Sequence, residues 1–192
     1  ELDLLANLVN NTASSETTIE QSFYSTASYI LSSDINYIGT RYIPIGTSSY
    51  PFNGEFNGHG CELSGIAISG DSASAYQDIG HFGVFGYIGK DGIVKNLGIT
   101  NMTIKLPYTI GADVGVLSGC NYGQISDCYV NGKDGTTVTV SNATVGGIAA
   151  ENYGSVFRTY SDFTADVSVT SGTYSDPQPI SAVNNGVIGY SY

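Results

Sequence analysis

Residues 122–130 read YGQISDCYV. A turn pair opens the stretch, and apolar side chains then alternate with polar ones. The same pattern recurs as GCELSGIAI (60–68), DGIVKNLGI (91–99), YGSVFRTYS (153–161) and NGVIGYSY (185–192). One apolar column runs Leu63, Val94, Ile125, Val156, Ile188, at a nearly constant step. A second runs Ile66, Leu97, Cys128, Thr159, Ser191, and a third Ile68, Ile99, Val130, Ser161. Upstream of each turn, HFGVFGYIGKDG, DVGVLSGCNYG, TVGGIAAENYG and PISAVNNG align Phe85, Leu117, Ile148 and Ile180. Downstream come the short β-branched runs MTIKL, VTV and VSV.

Each unit therefore holds about three short strands of period two, divided by Gly, Asn and Asp turns. No helical period occurs in residues 50–192. One unit cannot bury its apolar face alone, whereas stacked units share a continuous core. Strands of successive units would then pair in parallel at about 4.8 Å, with each apolar column pointing inward. The spacing predicts an all-β parallel β-helix (β-solenoid), expected to be right-handed, with coils of about 31 residues. A propeller blade would need about 40–45 residues and four strands.

Residues 1–49 differ. ELDLLANLVN places Leu4, Leu5, Leu8 and Val9 on one helical face, which predicts a short N-terminal capping helix. TASSETTIEQ reads as a loop, and ASYILSSDI and RYIPIGT as strands of irregular first coils. The expectation is one domain, with a cap over 1–49 and β-helix repeats over 50–192. The chain starts abruptly at Glu1 and stops mid-repeat at Tyr192, so a longer parent with a continuing solenoid is expected. An unfinished end would permit end-to-end association, with a monomer otherwise expected.

Composition narrows the function classes. Only 12% of residues are charged, against about 25% in a typical soluble domain. Net charge is −11 with six Lys and Arg, so no basic stripe can neutralise phosphates. Nucleic acid is not an expected partner. No run reaches about 18 apolar residues, so no membrane insertion is expected. There is no D-x-[DN]-x-[DN]-G calcium loop and no HExxH zinc motif. No cofactor or metal is expected.

YIPIGTSSYPFNGEFNGHGCELSGIAI resembles the opening of proteins that carry GLUG-motif repeats, and VGVLSGCNYGQISDCYVNG resembles the GLUG motif itself. VGGIAAENYGSVFRTYS and ISAVNNGVIGYSY are weaker copies. The resemblance implies a module of a bacterial cell-surface or secreted protein, such as a haemagglutinin-like adhesin or the non-catalytic part of an immunoglobulin-A-specific metallopeptidase. The pattern departs at FNGHG, where His59 stands one place early.

Register assigns each candidate residue to the inner or the outer face. Asn121, Asn152 and Asn184 recur before turn glycines and predict a structural asparagine ladder that also tolerates left-handed backbone. Cys128 falls in an inward column as a buried free thiol, and a Cys120–Cys128 disulfide is conceivable. His59 reads as a turn residue. Asp127 and Arg158 are one repeat apart and predict an outward salt bridge on neighbouring coils, with no stacked carboxylate pair. Tyr129, Tyr160 and Tyr192 form an outward column, with Tyr122 and Tyr153 beside it at the turn. Such rings can stiffen the solenoid or bind a host or bacterial glycan or protein. The sequons at Asn10, Asn101 and Asn142 are taken as chance. The expected role is a non-catalytic structural or adhesive module, with glycan or protein binding next and a polysaccharide-degrading β-helix enzyme last.

Overall fold

The computed structural model describes residues 1–10, 23–39, 41–70, 80–107, 111–168 and 176–192. It is a parallel β-solenoid whose coil turns through five short faces. Face one stacks His81–Phe82, Asp113–Gly115 and Thr144–Gly146. Face two stacks Phe85–Ile88, Ser118–Asn121, Ala149–Asn152 and Ser181–Asn184. Face three is the longest stack: Ser28–Ile30, Glu55–Asn57, Ile93–Lys95, Gln124–Ser126, Ser155–Phe157 and Val187–Gly189. Face four stacks Ile35–Asn36, Glu62–Ser64, Gly98–Thr100, Tyr129–Asn131 and Tyr160–Ser161. Face five stacks Ala67–Ser69, Thr103–Leu106, Thr137–Ser141 and Thr164–Ser168. The loop expected at TASSETTIEQ lies outside the described residues.

Alternation puts the middle residue of most three-residue strands inside. Val94, Ile125 and Val156 are fully buried on face three, and Leu63, Ile99 and Val130 on face four. Burying such a side chain contributes about 1.5–3 kcal/mol, and these stacks run through successive coils.

The inner columns hold from Val94 onward but shift in the first coil. Face three pairs Phe56, not Leu63, with Val94. Leu63 pairs with Ile99 on face four, and Ile68 pairs with Ile104 on face five. Ile66 follows suit and precedes the face-five strand, while Cys61 precedes Glu62 opposite Gly98. The cause is length. The coil from Phe56 to Val94 is longer than the later ones, so counting back by one regular repeat lands one face further along. Phe85 is likewise one place off its expected column, because it pairs with Ser118 rather than Leu117.

The cap is a helix over Leu2–Val9. Its buried stripe is Leu2, Leu5, Ala6 and Val9, spaced i, i+3, i+4, i+7, and Leu4 faces outward. Leu4 and Leu8 therefore flank the buried stripe instead of belonging to it. Asn10 locks the helix to the first coil: its Nδ2 donates to the Pro44 carbonyl (2.9 Å) and its Oδ1 accepts from Gly46 N–H (2.7 Å).

Glycine in FNGEFNGHGCELSGIAISG serves two needs, not one. Gly60 and Gly65 have positive φ (84° and 72°). At Gly54 and Gly58 the need is close approach, since a Cβ would run into the Ala27 and Asn96 carbonyls. His59 is the expected turn residue, with φ 55° and its N–H donated to Asn57 Oδ1.

Candidate binding cleft

The corner between faces three and four is turned in left-handed conformation by His59 and Gly60 after Glu55–Asn57 (φ 55° and 84°), and by one residue in each of the four coils that follow. These are Asn96, Asp127, Arg158 and Tyr190, with φ of 54°, 55°, 48° and 53°. Asn adopts this region readily, but a bulky residue does so at a cost of about 1–2 kcal/mol. From Asn96 onward the column thus moves from Asn through Asp to Arg and Tyr. The left-handed role expected of Asn121, Asn152 and Asn184 is carried here instead, because none of those three has positive φ.

Asp127 and Arg158 meet as expected. Arg158 Nε donates to Asp127 Oδ1 (2.6 Å) and Nη2 to Oδ2 (2.7 Å), a bidentate pair. The Arg158 guanidinium holds the Asp127 carboxyl below its ordinary range. Immediately inside follow Leu97, Cys128, Thr159 and Ser191, a column that shrinks and turns polar along the chain. Cys128 is buried and free, and burial pushes its thiol up to about 12. The Thr159 hydroxyl donates to Ser191 Oγ (2.9 Å), which donates to the Gly189 carbonyl.

Tyr129 and Tyr160 share register on face four, and Tyr192 follows one coil on. They do not form a uniform ring stack. Tyr129 leans over Gly98 and donates its hydroxyl to Glu62 Oε1. Tyr160 binds Asp162, whose carboxyl is held below its ordinary range mainly by that hydroxyl. Tyr160 and Tyr192 meet at 5.2 Å with their planes 57° apart. Both rings line a cleft of about 340 Å³. Its walls are Tyr129, Tyr160, Tyr190 and Tyr192, its rim the Asp127–Arg158 pair, and Cys128 and Thr159 complete its lining.

The other tyrosine pair behaves differently. Tyr122 and Tyr153 stack at 4.6 Å and 13°, and Tyr87 extends the stack at 5.5 Å and 16°. Their faces are turned on one another, and Tyr153 at the end of the stack remains exposed. Tyr87 was not legible from spacing, because its backbone pairs with Cys120 and only its side chain reaches Tyr122. Around this ladder sits a polar cluster that sequence reasoning missed. His81 Nδ1 lies 3.1 Å from Asp113 Oδ2 without the alignment of a hydrogen bond. Cys120 Sγ lies 4.0 Å from Glu151 Oε2. The members of each pair stand one repeat apart, a signal that could have indicated both contacts. Burial, then Glu151, push the Cys120 thiol up to about 12. Cys120 and Cys128 are both free, so the conceivable disulfide between them is not formed. Glu151 is itself raised, by burial first and then by Asp113.

The asparagine ladder is present. Asn121 Nδ2 donates to Asn152 Oδ1 and Asn152 Nδ2 to Asn184 Oδ1, each at 2.8 Å. Asn121 Oδ1 also accepts the Gly123 N–H, closing the turn.

The architecture defines a parallel β-solenoid carrying a tyrosine-walled cleft at one corner. No protein-family model matches the chain, and no solved structure matches it. Over 92 residues, 48% of the chain, it is 36% identical to a protein of Evansella cellulosilytica named "Putative Gly-rich membrane protein". The match spans 10% of that relative's length. Among the described residues, no helix is long and apolar enough to cross a membrane.

Proposed function

We propose that the chain is a non-catalytic β-solenoid module of a larger bacterial cell-surface or secreted protein, with a structural and adhesive role. The five-faced coil supplies a stiff rod, and the tyrosine-walled cleft supplies its point of contact. The observation that carries the adhesive part is the left-handed corner. Arg158 and Tyr190 occupy backbone positions where Asn or Gly would be cheaper, and both line the cleft. Strained residues at a surface depression point to recognition. The match to a small part of a much longer relative agrees with a modular role.

Beads coated with the module test this. They should adhere to glycan-bearing cell surfaces, and beads carrying a Tyr160→Ala, Arg158→Ala double variant of unchanged secondary structure should not. Equal adhesion of both, or of neither, would reject the cleft as the contact site.

A further inference from the structure

We infer that the cleft takes a neutral glycan, with a pyranose face packed on the Tyr160–Tyr192 rings and vicinal hydroxyls held by the Asp127–Arg158 pair. This rests on the cleft being the contact site of the module.

Shape comes first. A cleft of about 340 Å³ is at the small end of the usual ligand-site range of about 300–1,000 Å³. A protein partner would instead need about 800 Å² of surface on each side. The walls are aromatic, and the rings of Tyr160 and Tyr192 are tilted 57° to one another instead of stacking flat. The Tyr87–Tyr122–Tyr153 rings are instead nearly parallel, and Tyr122 is covered on both faces by its neighbours. The C–H face of a sugar packs on an aromatic face while its hydroxyls need donors and acceptors at the edge.

The rim supplies those. Two of the five Arg158 N–H groups are taken up by Asp127, which leaves three donors. Each Asp127 oxygen keeps acceptor capacity beyond its bond to Arg158. Donors and acceptors thus stand side by side in a geometry that the ion pair holds still. Neighbouring hydroxyls of a sugar ring, each both donor and acceptor, match that arrangement.

Charge then selects among glycans. Arg158 is the one cation among the described residues that line the cleft, and its partner carboxylate offsets it. Asp162 on Tyr160 and Glu62 on Tyr129 add two carboxylates nearby, within a chain of net charge −11. Uronic or sulfated chains would meet repulsion. The left-handed corner adds an independent sign, since the two residues least suited to it, Arg158 and Tyr190, both line the cleft.

The test is an array of neutral, uronic and sulfated oligosaccharides, followed by calorimetric titration of hits with wild type, Arg158→Asn and Tyr160→Ala. Neutral oligosaccharides should bind, and each substitution should weaken binding by at least about tenfold. Arg158→Asn should melt at or above the wild-type temperature, because Asn accepts the left-handed backbone; a lost fold is thereby separated from a lost site. Binding confined to anionic glycans, still sensitive to both substitutions, would overturn the neutral assignment and leave the cleft as contact site. Glycan binding indifferent to both substitutions would overturn both. Binding of polylysine in place of any glycan, abolished by Tyr160→Ala, would overturn the glycan and make the cleft a site for a basic protein segment.

Discussion

Asn152 stands at the centre of a side-chain relay: Asn121 on one coil donates to it and it donates to Asn184 on the next, both at 2.8 Å. Asn121 and Asn152 are fully buried, so Asn121 cannot turn to water when its acceptor is removed.

Asn152→Ala should therefore destabilise the module by about 2–3 kcal/mol, from the lost bonds and from the weakened pairing of the Asn121 amide, which keeps only the longer 3.4 Å bond to the Ser155 carbonyl. Asn184→Ala, at the exposed end of the relay, should cost less. Thermal melts of the two variants check the order. A smaller loss at Asn152 than at Asn184 would mean that the relay does not hold the coils.

Gly154 follows the relay. A Cβ there would run into the Gly123 carbonyl and the Tyr122 main chain, which belong to the coil beneath. Gly154→Ala should cost about 3 kcal/mol, at the upper end of overpacking. Gly60→Ala should cost less, since a Cβ there meets open space and only the positive φ of 84° opposes it. Chemical denaturation of both variants decides whether close approach or backbone conformation dominates.

Glu151 makes stability depend on pH. Its carboxyl is raised, by burial first and by Asp113 second, with His81 acting the other way. A raised carboxyl binds its proton more tightly in the folded state. Its contribution is complete below the ordinary carboxylate range of about 4.3 and is lost as pH rises through the folded value. Glu151→Gln should thus melt higher than wild type at pH 7, and the gap should close towards pH 4. A gap that widens on acidification would contradict the sign.

The three thiols should separate by reactivity. Cys120 and Cys128 are buried, with thiols pushed up to about 12, while Cys61 is partly exposed. Ellman's reagent at pH 8 should label one thiol quickly in the native protein, and all three after unfolding. Fast labelling of Cys128 in native protein would refute its inward placement.

From Val94 onward the inner columns could be counted off, because face three advances at a steady pace through Ile125, Val156 and Ile188. The longer first coil broke the count, and nothing in the side chains of Leu63 or Ile68 marks which face they join. Asn121, Asn152 and Asn184 were legible because a ladder needs only register. The tyrosines were legible as positions but not as geometry. Register cannot say that Tyr122 stacks flat on Tyr153 while Tyr129 turns away to Glu62. The left-handed corner was also hidden, since Asp127 and Arg158 show no glycine or asparagine to betray it.

The unequal spacing has an engineering consequence. Face five takes a longer stretch of chain from Thr103 to Thr137 than from Thr137 to Thr164, yet both pairs stay in register. Face four meanwhile steps evenly from Gly98 to Tyr129 and from Tyr129 to Tyr160. The connections flanking face five absorb the difference. A foreign peptide spliced between the exposed Lys133 and Asp134 would hang from the rod's side and leave the Gly132–Asp162 bond and buried Thr136 in place, which makes this corner a natural display port for epitopes or tags.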